Sequence, residues 1–233
     1  MQNQKHKVCG ELVYIAATFL LAFSVAMMAA ANLGLSMVVC PAYVLSQRVS
    51  FLTFGQSEYV VQSLLFLAFC LLMKHCRLVY FASFFTCLFY GAVLDFWRAL
   101  IPMFNPNITE PGSMPLAVRI VFFALGMLGT ATSVAMFFRS YLYPQVMDFF
   151  VKGVSVHFHK DRTKVKRLFD AGCFTVATAM TLIFFGKFVG IGIGTVVMTL
   201  FNGILIGKLG AVMDRHFEFV PLFPAFAKHF ELD

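Results

Sequence analysis

Thirty-six consecutive residues, Leu12 to Gln47, carry no formal charge. One helix crosses a hydrocarbon core about 30 Å thick with about 20 apolar residues. The run is too long for a single crossing and too apolar for a loop in water, so it must break. Polar and glycine residues gather at Asn32-Leu33-Gly34-Leu35-Ser36. This predicts a span at Leu12–Leu33 and then a short helix at Ser36–Val49. Pro41 falls in the first turns of that helix, where a missing N–H costs no hydrogen bond.

The remainder reads the same way. Sixty percent of the residues are apolar, 12% are charged and 30 are Phe, which excludes an ordinary soluble domain and suits a surface facing acyl chains. The basic start Lys5-His6-Lys7 precedes an apolar run longer than a signal h-region, so the first segment is read as a retained span. The net charge of +7 comes mainly from Lys160, Arg162, Lys164, Lys166 and Arg167. Between spans, such a cluster marks a cytoplasmic loop and favours anionic headgroups; no nucleic-acid partner is expected. The six cysteines form no C-x-x-C pair and show no zinc spacing, so no metal or cofactor is expected.

Further spans are predicted at Glu58–Met73, Leu78–Phe96, Leu116–Phe138, Leu168–Gly186 and Phe188–Leu209. A turn-rich connector runs from Pro102 to Pro115, and a second short helix lies at Tyr141–Val154 with Pro144 near its start. The chain also echoes itself. Leu88-Phe89-Tyr90-Gly91-Ala92-Val93-Leu94 returns 112 positions later as Leu200-Phe201-Asn202-Gly203-Ile204-Leu205-Ile206, and at that offset Glu58 meets Asp170. We therefore expect one all-α membrane domain, a polytopic helical bundle over residues 1–233. Its repeats are 11–98 and 116–212, its connector 99–115 and its cytoplasmic tail 213–233.

Whether the short helices cross the membrane decides the topology. Ser36–Val49 has 14 residues, about 21 Å of helix, which falls short of the core. Six spans with two re-entrant helices give inverted repeats; eight spans give parallel ones. Lysine and arginine placement fits both and puts the termini and the basic loop on the cytoplasmic side. Segment length favours six.

Ionisable and polar groups at depth are the candidate site residues. Spans 2 and 5 reach full length only by drawing in Glu58 and Asp170, and buried carboxylates usually face a cavity or a partner. Each also fits an interfacial position, and Asp170 stands one turn from Lys166. Asp148 on the second short helix either pairs with Lys152 or lines a polar path. Asp95 and Arg98 read as a surface pair. Asn32, Ser36, Ser140 and Tyr141 lie at the two breaks, where exposed helix ends bind polar groups or the serines simply cap. Asn202 sits in the echoed motif. The ladder Ala22-x-x-x-Ala26-x-x-x-Ala30 and the series Gly186-x-x-x-Gly190-x-x-x-Gly194 predict close helix contact. Gly190-Ile191-Gly192-Ile193-Gly194-Thr195 lacks the preceding strand and the lysine of a phosphate loop.

Asn32-Leu33-Gly34-Leu35-Ser36 with Pro41 behind it, the Pro144-to-Lys152 helix, and Gly192-Ile193-Gly194-Thr195 followed by Asn202-Gly203 resemble YczE/YitT-type bacterial integral membrane proteins over residues 10 to 212. The resemblance implies a bacterial inner-membrane protein and carries over no substrate or catalytic residue. Met37-Val38-Val39-Cys40 separates Ser36 from Pro41, which departs from the closer spacing of that group.

No nucleophile–base pair or metal constellation appears, so an intramembrane enzyme is not expected. Two spanning units enclosing a pathway are the plan of many transport proteins. The leading expectation is a small transporter or channel-like protein with a polar site between inverted repeats. Its partners would be membrane lipids and a small-molecule or lipid substrate, and pairing into a homodimer stays open. The alternatives are a substrate-binding membrane subunit that docks on a larger transporter through the alanine ladder, and a non-transporting scaffold.

Overall fold

The computed structural model describes residues 6–73, 81–142 and 145–222. Eight α-helices dominate it: α1 Gly10–Ala31, α2 Cys40–Arg48, α3 Phe54–Met73, α4 Phe81–Leu100, α5 Leu116–Phe137, α6 Val146–His157, α7 Arg162–Phe185 and α8 Ile193–His216. A 3-10 turn at Pro102–Phe104 lies in the connector. Two four-residue strands, β1 His6–Cys9 and β2 Phe217–Val220, pair in parallel at the two ends of the helical region. The all-α bundle is as expected, whereas the strand pair is an addition. It closes part of the anticipated tail back onto the start of α1.

Five helices (α1, α3, α5, α7 and α8) are long and apolar enough to cross a membrane, and the chain is a membrane protein. The third expected span, Leu78–Phe96, corresponds to α4, which matches α3 in length but lies outside that apolar set. Residues 78–80 of the anticipated segment fall outside the described residues.

Contacts at both ends fix the helix directions. Arg119 at the start of α5 donates to the carbonyls of Ala31 (2.7 Å) and Asn32 (2.8 Å) at the end of α1, and Tyr141 beyond α5 reaches Glu11 at the start of α1. These two helices are therefore antiparallel along their full length, about 33 Å for 22 residues. Aromatic contacts Phe19–Phe89 and Phe23–Trp97 set α4 parallel to α1. Gly55 with Asp95, Tyr59 with Leu88 and Phe66 with Phe81 set α3 antiparallel to α4. Gly194 with Leu33 and Asp214 with Arg139 set α8 parallel to α5. Arg162 over Phe138 and Arg48 over Phe184 direct α7 back the other way.

It follows that α1 ends and α3 begins at the same end of the bundle, as α5 ends and α7 begins at the other. Neither short helix runs the length of the bundle. Each starts buried and ends exposed. Cys40 opens α2 beside Leu35 and Gly190, and Gln145 before α6 meets Gln62 within α3. Both short helices pack on α3 and on α7.

The local sequence explains the ends. Asn32 takes the left-handed conformation (φ 49°) that stops α1, which asparagine tolerates better than most residues. Pro41 sits at the start of α2 as expected, while Pro144 lies outside the described residues. Several boundaries differ from the sequence reading: α3 starts at Phe54 rather than Glu58, and α8 runs Ile193–His216 rather than Phe188–Leu209. Ser36 does not cap α2, which starts at Cys40; its carbonyl accepts the N–H groups of Val39 and Cys40 in a preceding turn. Ser140 does not cap α6, which starts at Val146; its hydroxyl accepts the Leu142 N–H. The basic stretch is helical rather than looped, because Asp161 caps α7 by accepting the Lys164 N–H at 2.9 Å.

The core lies along α1. Ala22, Ala26 and Ala30 are buried, so the ladder is consumed within the chain and offers no docking face. Gly126 and Gly129 of α5 bring its backbone against Met28 and Ser24, the close approach that small residues permit in lipid. Gly190 and Gly194 do the same at the far end. The Leu35 N–H donates to Gly190 O at 2.9 Å and the Gly194 N–H to Leu33 O at 2.8 Å. The first break thus has its backbone groups met by the segment entering α8.

Candidate functional site

Helix α3 carries one polar stripe into the bundle. Glu58 and Gln62 stand one turn apart and both are fully buried. The Gln62 amide Nε2 donates to Glu58 Oε2 at 3.0 Å and to Gln145 Oε1 at 3.3 Å. Three atoms of this cluster are buried with no hydrogen-bond partner among the described residues: Glu58 Oε1, Gln62 Oε1 and Gln145 Nε2. Two acceptors and one donor are left open at one place. A buried polar group without a partner costs about 1–3 kcal/mol, so native proteins rarely leave several together. Such a group is suited to a water, a proton or a ligand's hydrogen-bonding groups.

The surroundings are tight. Buried Tyr90 lies within electrostatic reach of Glu58, buried Phe54 stands one turn before it on α3, and Cys87 Sγ approaches the Glu58 carbonyl. Gly91 lets α4 approach: a Cβ there would run into the Tyr59 ring and stand 2.8 Å from Gly55 O. Gln145 reaches the cluster because α6 begins within the bundle, and Phe149 stacks edge-on to Phe69 at 5.0 Å to hold it there.

The other expected site residues are not gathered here. Asp170 pairs with Lys166 at 3.0 Å along α7. Asp148 lies in the electrostatic reach of Lys166, Arg162 and Asp170, so these carboxylates form a separate charged group between α6 and α7. Asn32 donates to Pro111 O at the end of α1. Tyr141 donates to Glu11 at the opposite end, where burial first, and then that bond, raise its phenol above the ordinary tyrosine range. Ser36 and Ser140 remain at their separate breaks. Asn202 on α8 has a buried oxygen without a partner among the described residues, away from Glu58.

Gln62 and Gln145 do not stand out in the sequence because neutral amides leave no charge signal. The spacing Glu58-x-x-x-Gln62, inside a segment with no strongly polar residue after Ser63, is the available sign. Asp95 and Arg98 do not pair as expected. Asp95 instead accepts the Gly55 N–H at 2.9 Å and the Thr53 hydroxyl at 2.5 Å, tying α4 to the start of α3.

No curated protein and no solved structure matches this chain. One family model does, over residues 8–210, which takes in every described helix up to most of α8. The chain belongs to that family, DUF6198, a family of unknown function.

Proposed function

We propose that this protein is a small membrane transporter whose polar centre is the Glu58–Gln62–Gln145 cluster, set between two inverted halves. The observation that carries this reading is the cluster itself: three polar side chains, each with a buried hydrogen-bonding atom unmet among the described residues, where α3 meets the inner start of α6. A structural polar network gains by closing all its bonds. One left open at the tip of a broken helix suits an occupant that comes and goes.

The inverted halves are part of the proposal. The order long, short, long, long occurs twice, α1 and α5 run in opposite directions, and the two short helices enter from opposite ends. The setting is a bacterial inner membrane with both termini cytoplasmic, in keeping with the clustered basic residues near α7 and with a kinship to YczE/YitT-type proteins. Transport needs no covalent chemistry, so the protein is not an enzyme on this reading, and lipids surround it. The docking-subunit alternative loses its proposed face, because the alanine ladder is buried.

The test is uptake of a panel of labelled metabolites by proteoliposomes containing only this chain, under an imposed proton gradient. Uptake by the native protein and its loss in Glu58→Gln support the proposal. Equal uptake by both contradicts it.

A further inference from the structure

A second polar site lies at the end of the bundle where α3 begins. An open cleft of about 510 Å³ is bounded by residues 46–54, the end of α4 and the connector. Arg98 lines it. This residue is only 9% exposed, yet among the described residues its Nε has no hydrogen-bond partner and no carboxylate lies within ion-pair distance. Its neighbour Asp95 is committed to Thr53 and Gly55. The guanidinium instead rests over the Phe54 ring, 5.3 Å from its centroid.

Asp95 and Tyr43 attract this guanidinium through space, but no carboxylate touches it among the described residues. A charge taken out of water without a contact partner is costly. Stacking on an aromatic face returns only about 0.5–2 kcal/mol. Arginine also presents a planar fork that matches carboxylate and phosphate oxygens in pairs. Around it, Ser46 is occupied by the Tyr43 carbonyl and the Asn105 side chain by the Asn107 N–H. The exposed side chains of Gln47, Ser50 and Asn107 line the same cleft. Hydrogen-bonding side chains therefore line a cleft beside a cation that has no contact ion pair among the described residues.

We infer that this cleft binds a small oxyanion, a carboxylate or a phosphate, with Arg98 as its principal ligand. The site stands independently of the transport proposal. Its floor, Phe54, is one turn from Glu58, so an anion held there would sit at the mouth of the buried cluster.

The test is binding to the purified chain in nanodiscs, read by the fluorescence of Trp97. It is the one tryptophan in the sequence and it adjoins Arg98. Succinate and inorganic phosphate serve as probes, and chloride at equal ionic strength is the control. The expected result is a saturable signal with at least one probe in discs of phosphatidylcholine alone. Arg98→Gln should weaken it about tenfold or more, and Arg98→Lys, which keeps charge but not the fork, by less. Ser50→Leu fills the cleft from an exposed position and should abolish the signal with Arg98 intact, which covers an Arg98 variant that fails to fold.

Discs containing phosphatidylglycerol separate the sources of the anion. Equal binding of the soluble probes in both kinds of disc assigns the site to a soluble anion. Loss of their signal when phosphatidylglycerol is present assigns the same Arg98 site to an anionic headgroup that competes for it. No saturable signal in the neutral discs, or native affinity in both Arg98→Gln and Ser50→Leu, overturns the inference.

Discussion

Gln62 on α3 donates a hydrogen bond to Gln145, 83 residues further along, at 3.3 Å. That bond joins a long helix of the first half to the start of the short helix of the second. It also leaves the Gln145 amide nitrogen and the Gln62 oxygen without a partner among the described residues. The same residues that couple the halves are those with capacity to bind something more.

Removing the donor should cost more than neutralising the acid. Gln62→Leu leaves Glu58 Oε2 without its partner inside the bundle, and should destabilise by about 1–3 kcal/mol. Glu58→Gln keeps shape and hydrogen bonding to Gln62, and should change stability by less than about 1 kcal/mol. Thermal unfolding in detergent separates them. Equal losses would mean that Glu58 acts as a structural acid.

The echoed glycines should respond in opposite ways. Gly91→Ala drives a Cβ into Tyr59 and the Gly55 carbonyl, and overpacking of this kind costs about 1–3 kcal/mol. At Gly203, its partner in the echo, an added Cβ would have nothing within 4 Å. Gly203→Ala should therefore be neutral within about 1 kcal/mol. Melting temperatures of the two variants, side by side, give the answer.

At the other end of α5, Arg139 grips Asp214 with two bonds of 2.6 and 2.5 Å. A Cβ at Gly210 would lie 2.5 Å from the same guanidinium. Gly210→Ala and Asp214→Asn should therefore disturb one feature, and the double variant should lose less stability than the sum of the two. Additive losses would show that the glycine acts elsewhere.

Tyr141 gives a pH signature. Its folded pKa lies above its unfolded value, so the stability it adds is complete below the ordinary tyrosine pKa, about 10. It fades as pH rises toward the folded value. Tyr141→Phe should melt below the native protein by a constant margin from about pH 7 to 9, with the gap narrowing above about pH 10. A gap independent of pH would remove the phenol–Glu11 bond as its cause.

Much of this architecture is legible in the sequence, because length and charge decide where an apolar chain turns. The break after Asn32, the early Pro41 and the shortness of the second and sixth helices follow from the membrane's thickness. Asp170 with Lys166 follows from one-turn spacing. The polar partners do not. Asp95 reads as bonded to Arg98 three residues away, but tertiary packing gives it to Thr53 and Gly55, and so leaves Arg98 facing a cleft. Gln145 lies before a short helix with nothing local to mark it. The strand pairing of His6–Cys9 with Phe217–Val220 joins ends that no local pattern relates.

The most direct test asks whether water-borne reagents reach Glu58. In intact membranes, a water-soluble carbodiimide with a small amine nucleophile modifies carboxyls it can reach, and peptide mass spectrometry reads each one, with exposed Asp161 as the internal reference. A polar pathway through the seam predicts modification of Glu58, reduced when a transported solute is present. Modification of Asp161 with none at Glu58, while a lipid-soluble carbodiimide labels it, would contradict a wetted centre.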